Sequence, residues 1–128
     1  MLMEKNRLDL EYIIRTSDHI LYNCISSPSG LEDWFADEVN IRGDVFTFLW
    51  EGEERKAELV SSKKNQFVKF HWLEDGKEKT FFEMRIKIDE MTGEVALLVT
   101  DFYDEGDEVE TKMLWDSAVD NLRRVIGG

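Results

Sequence analysis

The chain has 128 residues, close to the commonest size of a folded domain and enough to bury one hydrophobic core without disulfides or metal. Its 28 acidic residues against 16 lysines and arginines give a net charge of −12, which repels nucleic-acid phosphates and anionic lipid heads. We therefore expect one domain spanning residues 1–128, with neither nucleic acid nor an inserted membrane as a partner.

The cysteine content and the hydropathy pattern bear on location. Cys24 is the only cysteine, so the chain forms no internal disulfide and no cysteine-based zinc site. The amino-terminal segment has no apolar stretch of signal-peptide length, and the longest aliphatic run, residues 95–99, is too short to cross a bilayer. These features predict a cytoplasmic protein.

The first part of the chain predicts a strand followed by two short helices. Residues 7–15 alternate loosely and are rich in β-branched and aromatic side chains, which favours a strand. Ser17 and Asp18 are typical helix-capping residues, and apolar residues follow them at helical spacing. Ser27 before Pro28 indicates a second helix start, because proline is tolerated at the first helical position.

Five strands in antiparallel succession are predicted next, because apolar residues recur at every second position between turn signals. The predicted strands cover residues 45–50, 55–60, 67–72, 82–88 and 95–102. Alternation of this kind is typical of a sheet with one buried face and one solvated face.

The last stretch, residues 107–126, predicts a long amphipathic helix that must be covered by the sheet. Acidic residues occupy its first turn, where the helix dipole favours them. We expect Trp115 and Leu122 to lie deepest. The apolar face consists of Leu114, Trp115, Ala118, Val119, Leu122, Val125 and Ile126.

The predicted fold is therefore α+β, with helices segregated from the strands. It consists of a curved six-stranded antiparallel sheet, two short helices after strand 1, and a long C-terminal helix packed across the sheet. When the inward side chains do not fill the space between such a helix and a curved sheet, a pocket forms there.

Several motifs are shared with a known group of proteins. They are S-x-x-I-x-Y-x-x-I-S-x-P-x-G-L-x-x-W-F-A over residues 17–36, Phe48-x-Trp50-x-Gly52, Phe70-x-Trp72 and Trp115-x-x-x-Val119-x-x-Leu122. Across residues 8–126 the chain resembles the START-like (SRPBCC, helix-grip) superfamily, closest in pattern to the polyketide cyclases and to relatives of the activator of the heat-shock chaperone ATPase. The resemblance implies the helix-grip fold.

The sequence contains no visible catalytic constellation. His19 and His71 are the only histidines, and we expect both at the surface, with His71 on the solvated face of the sheet. Two distant histidines and one cysteine do not make a metal site, so neither a metal nor another cofactor is expected. Most carboxylates fall in turns, but Asp101 lies in a strand whose inward face the pattern leaves open, so it could line a cavity mouth.

The inward apolar side chains, most of them aromatic, are the strongest functional signal. They could line a hydrophobic pocket beneath the terminal helix, or they could fill that space as a solid core, and the sequence leaves both alternatives open. The candidate ligand-contacting residues are Phe46, Phe48, Trp50, Phe70, Trp72, Phe82, Met84, Phe102, Trp115 and Leu122.

Two functions follow as hypotheses, the first favoured by the family resemblance. The first is a non-catalytic module that binds a small hydrophobic molecule, such as a lipid, between the helix and the sheet. The second is a protein-interaction or chaperone-cofactor module with a filled core. A cyclase-type enzyme ranks third, because the inward residues are nearly all apolar. Val45, Leu49 and Phe67 lie opposite the predicted core, so we also expect an exposed apolar patch and a homodimer formed through it.

Overall fold

The computed structural model of the protein describes residues 5–127, which form a curved antiparallel sheet with its helices packed on the inner face. None of the helices in this range is both long and apolar enough to cross a membrane. The elements are β1 (Asn6–Ile13), α1 (Asp18–Ser26), α2 (Pro28–Glu32), β2 (Glu38–Arg42), β3 (Val45–Trp50), β4 (Glu53–Lys63), β5 (Phe67–Trp72), a 3₁₀ turn (Leu73–Asp75), β6 (Phe82–Ile88), β7 (Val95–Tyr103) and α3 (Glu108–Ile126).

Within residues 5–127 the sheet has seven strands, not the six predicted, in the order β1-β7-β6-β5-β4-β3-β2. The strand that the prediction missed is β2, which pairs with β3 across a tight turn at Gly43 and Asp44. Gly43 has φ 61°, a conformation that glycine adopts without strain. β2 has only five residues, of which both ends are charged, as is common for strands at the edge of a sheet.

The sheet is open and curved. Its two edges are β1 and β2, and β4 carries a bulge between Leu59 and Ser61 that shifts its register against β5. Such a bulge bends the strand and increases its local twist.

The core lies on the inner face of the sheet. Side chains from the inner face of the sheet meet those of α1 and α3 in one cluster. Its largest fully buried members include Phe46, Phe48, Phe70, Phe82, Ile14, Leu21, Ile25, Leu31, Met84, Leu97 and Leu122.

Helix α3 buries a narrower face than its sequence predicted. Leu122 is fully buried, as expected, but Trp115 keeps 6% of its surface exposed and Val119 lies deeper. Leu114 and Val125 were predicted on the same apolar face, but they are 66% and 47% exposed. The helix extends beyond the surface that the sheet offers it, so part of its apolar face is left uncovered.

The apolar side chains on the outer face of the sheet are less exposed to solvent than predicted. Val45, Leu49 and Phe67 are half-buried rather than exposed. The guanidinium of Arg85 lies 4.3 Å from the centre of the Phe67 ring and covers part of it. The expected exposed patch is therefore reduced by neighbouring charged side chains.

His71 lies on the outer face of the sheet, as predicted, but it is half-buried and both of its ring nitrogens have hydrogen-bond partners. Its Nδ1 lies 2.7 Å from the carbonyl oxygen of Thr80, and its Nε2 lies 2.8 Å from that of Gly76. Both ring nitrogens face acceptors, so only the protonated ring donates two hydrogen bonds. The bond to Thr80 is the main cause that raises the pKa of His71, and partial burial opposes it.

Gly30 is required where α2 packs against the end of α1. A Cβ atom at this position would lie 2.8 Å from the Cα of Cys24 and closer still to the carbonyl oxygen of Asn23. Both are backbone atoms, so a change of rotamer cannot relieve the clash. Ser27 accepts a hydrogen bond from the Gly30 N–H at 2.9 Å, which confirms the predicted start of the second helix.

The protonated state of His71 should contribute to stability. We expect the free energy of unfolding to fall as the pH rises from about 6.5 through the folded-state pKa of His71, because folding favours the protonated ring. His71→Ala should flatten this dependence, whereas His19→Ala, which removes a side chain 71% exposed, should keep it. Urea unfolding at a series of pH values measures the slope. An unchanged slope in His71→Ala would contradict this interpretation.

Gly30→Ala should destabilise the fold by about 1–3 kcal/mol, because the new methyl group must displace backbone. The matched control is Ser29→Ala, which alters an exposed neighbour in the same helix and should change the free energy of unfolding by less than about 0.5 kcal/mol. Denaturant unfolding compares the two. Equal stability of both variants would show that the corner tolerates a side chain.

Candidate functional site

A cavity of about 900 Å³, open to solvent, lies between α3, the segment that runs from the end of α2 to β2, and the inner face of the sheet. Its size falls at the upper end of the range for small-molecule pockets. The lining residues are Glu32, Asp33, Trp34, Phe35, Ala36 and Asp37 from α2 and the segment after it; Trp50, Glu53, Arg55, Trp72, Phe82 and Asp101 from the sheet; and Leu114, Trp115, Ser117, Ala118 and Asn121 from α3.

Aromatic rings form much of the cavity wall. Phe35 stands at their centre, with its ring centroid 5.5 Å from Trp50 and 5.6 Å from Trp115. The rings of Trp72 and Phe82 stack with centroids 4.8 Å apart. The Nε1–H of Trp50 donates to the carbonyl oxygen of Phe35 at 2.7 Å, which fixes the orientation of this side of the wall.

Asp101 places a carboxyl group inside this apolar surface. Its Oδ2 accepts a hydrogen bond from the Nε1–H of Trp115 at 2.7 Å, and its Oδ1 accepts from the backbone N–H of Phe102 at 2.7 Å. Burial raises the pKa of Asp101, and these two bonds oppose the rise because they favour the charged form. The bond to Trp115 also connects α3 directly to β7.

Arg55 is the one cation among the lining residues that the structure describes. Its guanidinium lies 3.9 Å from the centre of a Trp72 ring, and its Nε–H donates to Glu74 Oε1 at 2.6 Å. Arg55 is not among the residues predicted from the sequence to contact a ligand. The signal was present, because Arg55 shares a strand face with Ala57 and Leu59.

Comparison with known proteins identifies the group to which this architecture belongs. A family model described as a START-like superfamily domain matches residues 2–128. The chain belongs to the START-like superfamily. The resemblance seen in the sequence is thereby confirmed.

Solved structures agree with this assignment. BfR322 from Bacteroides fragilis is 42% identical, with 96% of this chain and 92% of that one covered and a TM-score of 0.67. The Aha1 dimer from Colwellia psychrerythraea is 14% identical, with coverage of 94% and 96% and a TM-score of 0.76. MLL2253 from Mesorhizobium loti is 13% identical, with coverage of 95% and 97% and a TM-score of 0.78. The last two show the fold alone. Curated proteins gave no match.

In this START-like domain the predicted candidate residues fall into three groups. Lining the cavity are Trp50, Trp72, Phe82 and Trp115. Buried in the core and absent from the cavity wall are Phe46, Phe48, Phe70, Met84 and Leu122. The third group is Phe102 alone. The sequence left open a solid core and an open pocket. The structure contains both, with the packed core behind the wall of the open cavity.

Phe102 lies on the opposite face of the sheet from the cavity, so its prediction as a cavity residue is wrong. It pairs with Arg7 of β1, and its ring meets that of Phe81 edge-on with centroids 5.1 Å apart. Because side chains alternate along a strand, the neighbouring Asp101 points inward instead. The prediction also missed Phe35, which the family motif contains but the list of candidate residues did not.

Trp115→Phe tests the contact between α3 and β7. We expect the pKa of Asp101 to rise further, because burial persists while one opposing hydrogen bond is lost. The free energy of unfolding should fall by about 1–3 kcal/mol. A ¹³C NMR titration of the carboxyl carbons measures the pKa, and Asp116, whose pKa is lowered chiefly by its hydrogen bond from Lys112, serves as an internal control. An unchanged or lowered pKa of Asp101 would refute the assigned contact.

Proposed function

We propose that this START-like domain, acting as one unit over residues 1–128, binds a small hydrophobic ligand in the cavity beneath α3 without catalysing a reaction. The observation that carries the proposal is the open, aromatic-walled cavity of about 900 Å³. Aromatic rings bury large areas against a ligand and prefer defined ring geometries, so such a wall provides both affinity and orientation.

The completeness of the core supports a binding role for this cavity. Phe46, Phe48 and Phe70 are at most 1% exposed, so the domain already has a packed interior beneath the cavity wall. The cavity is therefore additional to what folding requires. Leaving tryptophan surface in contact with water is unfavourable by roughly 25 cal/mol per Å², and a ligand that covers this surface recovers that free energy.

The charged groups that line the cavity form hydrogen bonds within the protein, which supports a non-catalytic role. Asp101 is held by Trp115 and by backbone, and Arg55 is held by Glu74 over the ring of Trp72. A general acid or base needs hydrogen-bond reach to its substrate. Here the two most enclosed charged groups already have intramolecular partners.

A protein-interaction module, as a monomer or a homodimer, is the second candidate function. The specific observation that favours it is an apolar surface on α3, where Val109, Met113 and Leu114 are 64–70% exposed. Exposed apolar surface of this kind is common at protein interfaces. The Colwellia protein, whose structure is described as a dimer, resembles this chain in fold, which supports the homodimer as one form of this function.

Ligand binding can be tested by blocking the cavity. Fatty acids, sterols and aromatic polyketides are titrated while tryptophan fluorescence and Tm are followed, and at least one compound should stabilise the domain saturably. A concentration ten times the Kd gives about 1.4 kcal/mol. Ala118→Phe projects an aromatic ring into the cavity and should weaken the response, whereas Asp120→Phe, an exposed position on the same helix outside the cavity wall, should retain it.

Each contrary result has a definite meaning. If no class of compound stabilises the wild-type protein, the binding proposal fails and the interaction module is favoured. If Ala118→Phe responds as strongly as Asp120→Phe while remaining folded, the ligand binds elsewhere. Circular dichroism of both variants establishes that each is folded.

A further inference from the structure

The chemistry of the cavity narrows the class of ligand, an inference that rests on the proposed binding function. We propose that the ligand is an organic cation, an ammonium or methylated ammonium group attached to an apolar body. The ligand would bind in the aromatic-walled cavity described above. The faces of the rings attract a positively charged head group, and the carboxylates around the cavity repel a negatively charged one.

The ring faces are the first argument. An aromatic ring carries a negative electrostatic potential on its face, and tryptophan attracts cations most strongly of the natural side chains. Trp50, Trp72 and Trp115 line the same cavity from two strands and a helix. A quaternary ammonium head is weakly hydrated, and its surface consists of methyl groups. Contact with such rings therefore gains free energy both from the burial of apolar surface and from electrostatic attraction.

The chain itself shows that this wall accepts a cation. The guanidinium of Arg55 lies 3.9 Å from the centre of a Trp72 ring, and Glu74 balances its charge. Within residues 5–127, no lysine or arginine lies over Trp50 or Trp115. Trp115 is only 6% exposed, whereas Trp50 is half-buried, so the indole of Trp50 is the site for the cation of a ligand.

The charge around the cavity is the second argument. Its lining contains five carboxylates, and within the described part of the chain none of them forms an ion pair. The single lining cation, Arg55, is already neutralised. An anionic head group would therefore meet net repulsion, and a cationic one net attraction. The carboxylates are Glu32, Asp33, Asp37, Glu53 and Asp101.

Three compounds with the same apolar body separate the effect of the head group. They are 4-phenylbutyltrimethylammonium, 4-phenylbutanol and 4-phenylbutyrate, each titrated into the full chain by isothermal calorimetry. We expect the cation to bind at least about tenfold more tightly than the carboxylate, with the alcohol between them. Added salt should narrow the difference, because the rim carboxylates are exposed.

Variants locate the source of the preference. The double substitution Asp33→Asn and Glu53→Gln should reduce the ratio of cation to carboxylate affinity by several-fold, while the affinity for the alcohol stays the same. The matched control is Glu90→Gln with Glu94→Gln, which removes the same charge from an exposed turn outside the cavity lining and should leave the ratio unaltered. An equal loss in both double variants would assign the preference to net charge and overturn the local mechanism.

The outcomes separate this inference from the proposed function. Equal affinity for all three compounds, or tightest binding of the carboxylate, overturns the cationic ligand while ligand binding itself stands. If none of the three compounds binds, the result contradicts both the cationic ligand and the proposed binding function. If the affinity for the cation is the same in Ala118→Phe as in Asp120→Phe, the cation binds outside the cavity, and the inference is overturned as well.

Discussion

The position of helix α3 over the sheet depends on three hydrogen bonds to β1 and β7. The indole of Trp115 donates to Asp101, the phenol of Tyr12 donates to Asp116 at 2.7 Å, and Arg123 reaches a backbone carbonyl of β1 at 3.0 Å. Together they hold the helix over one side of the sheet. The cavity lies beside this helix, between it and the inner face of the sheet, and Trp115 and Asp101 both line it. The hydrogen bond between these two residues therefore joins two parts of the cavity wall.

The packed core and the open cavity have different physical origins. The core follows from alternating apolar residues on consecutive strands, whose side chains meet and exclude water at close-packed density. The cavity persists because its wall is built of rigid rings with their own partners. Phe35 contacts several neighbouring rings, and Trp50 is tied to backbone, so the wall cannot collapse inward without breaking those contacts. Ligand binding would then require little rearrangement of the wall.

Local pattern predicted most elements because each carries its own period and its own turn or cap. Local pattern failed where the structure depends on contacts between residues that are distant in the sequence. In β7 the outward Ala96 and Leu98 are as apolar as the inward Leu97 and Val99, so the alternation that assigns Phe102 and Asp101 to faces was hidden. β2 was missed because it is a short, charged edge strand. The cavity depends on sheet curvature and on the offset of the helix, which sequence periodicity does not encode.

We propose that a ligand binds in the space beneath α3. The most direct measurement is a set of intermolecular NOEs between isotope-labelled protein and unlabelled 4-phenylbutyltrimethylammonium. We expect NOEs from the phenyl protons to Ala118 and Trp72, and from the methyl protons to Trp50, all of which line the cavity. NOEs confined to residues outside this lining, such as the 94% exposed Met91, would contradict it.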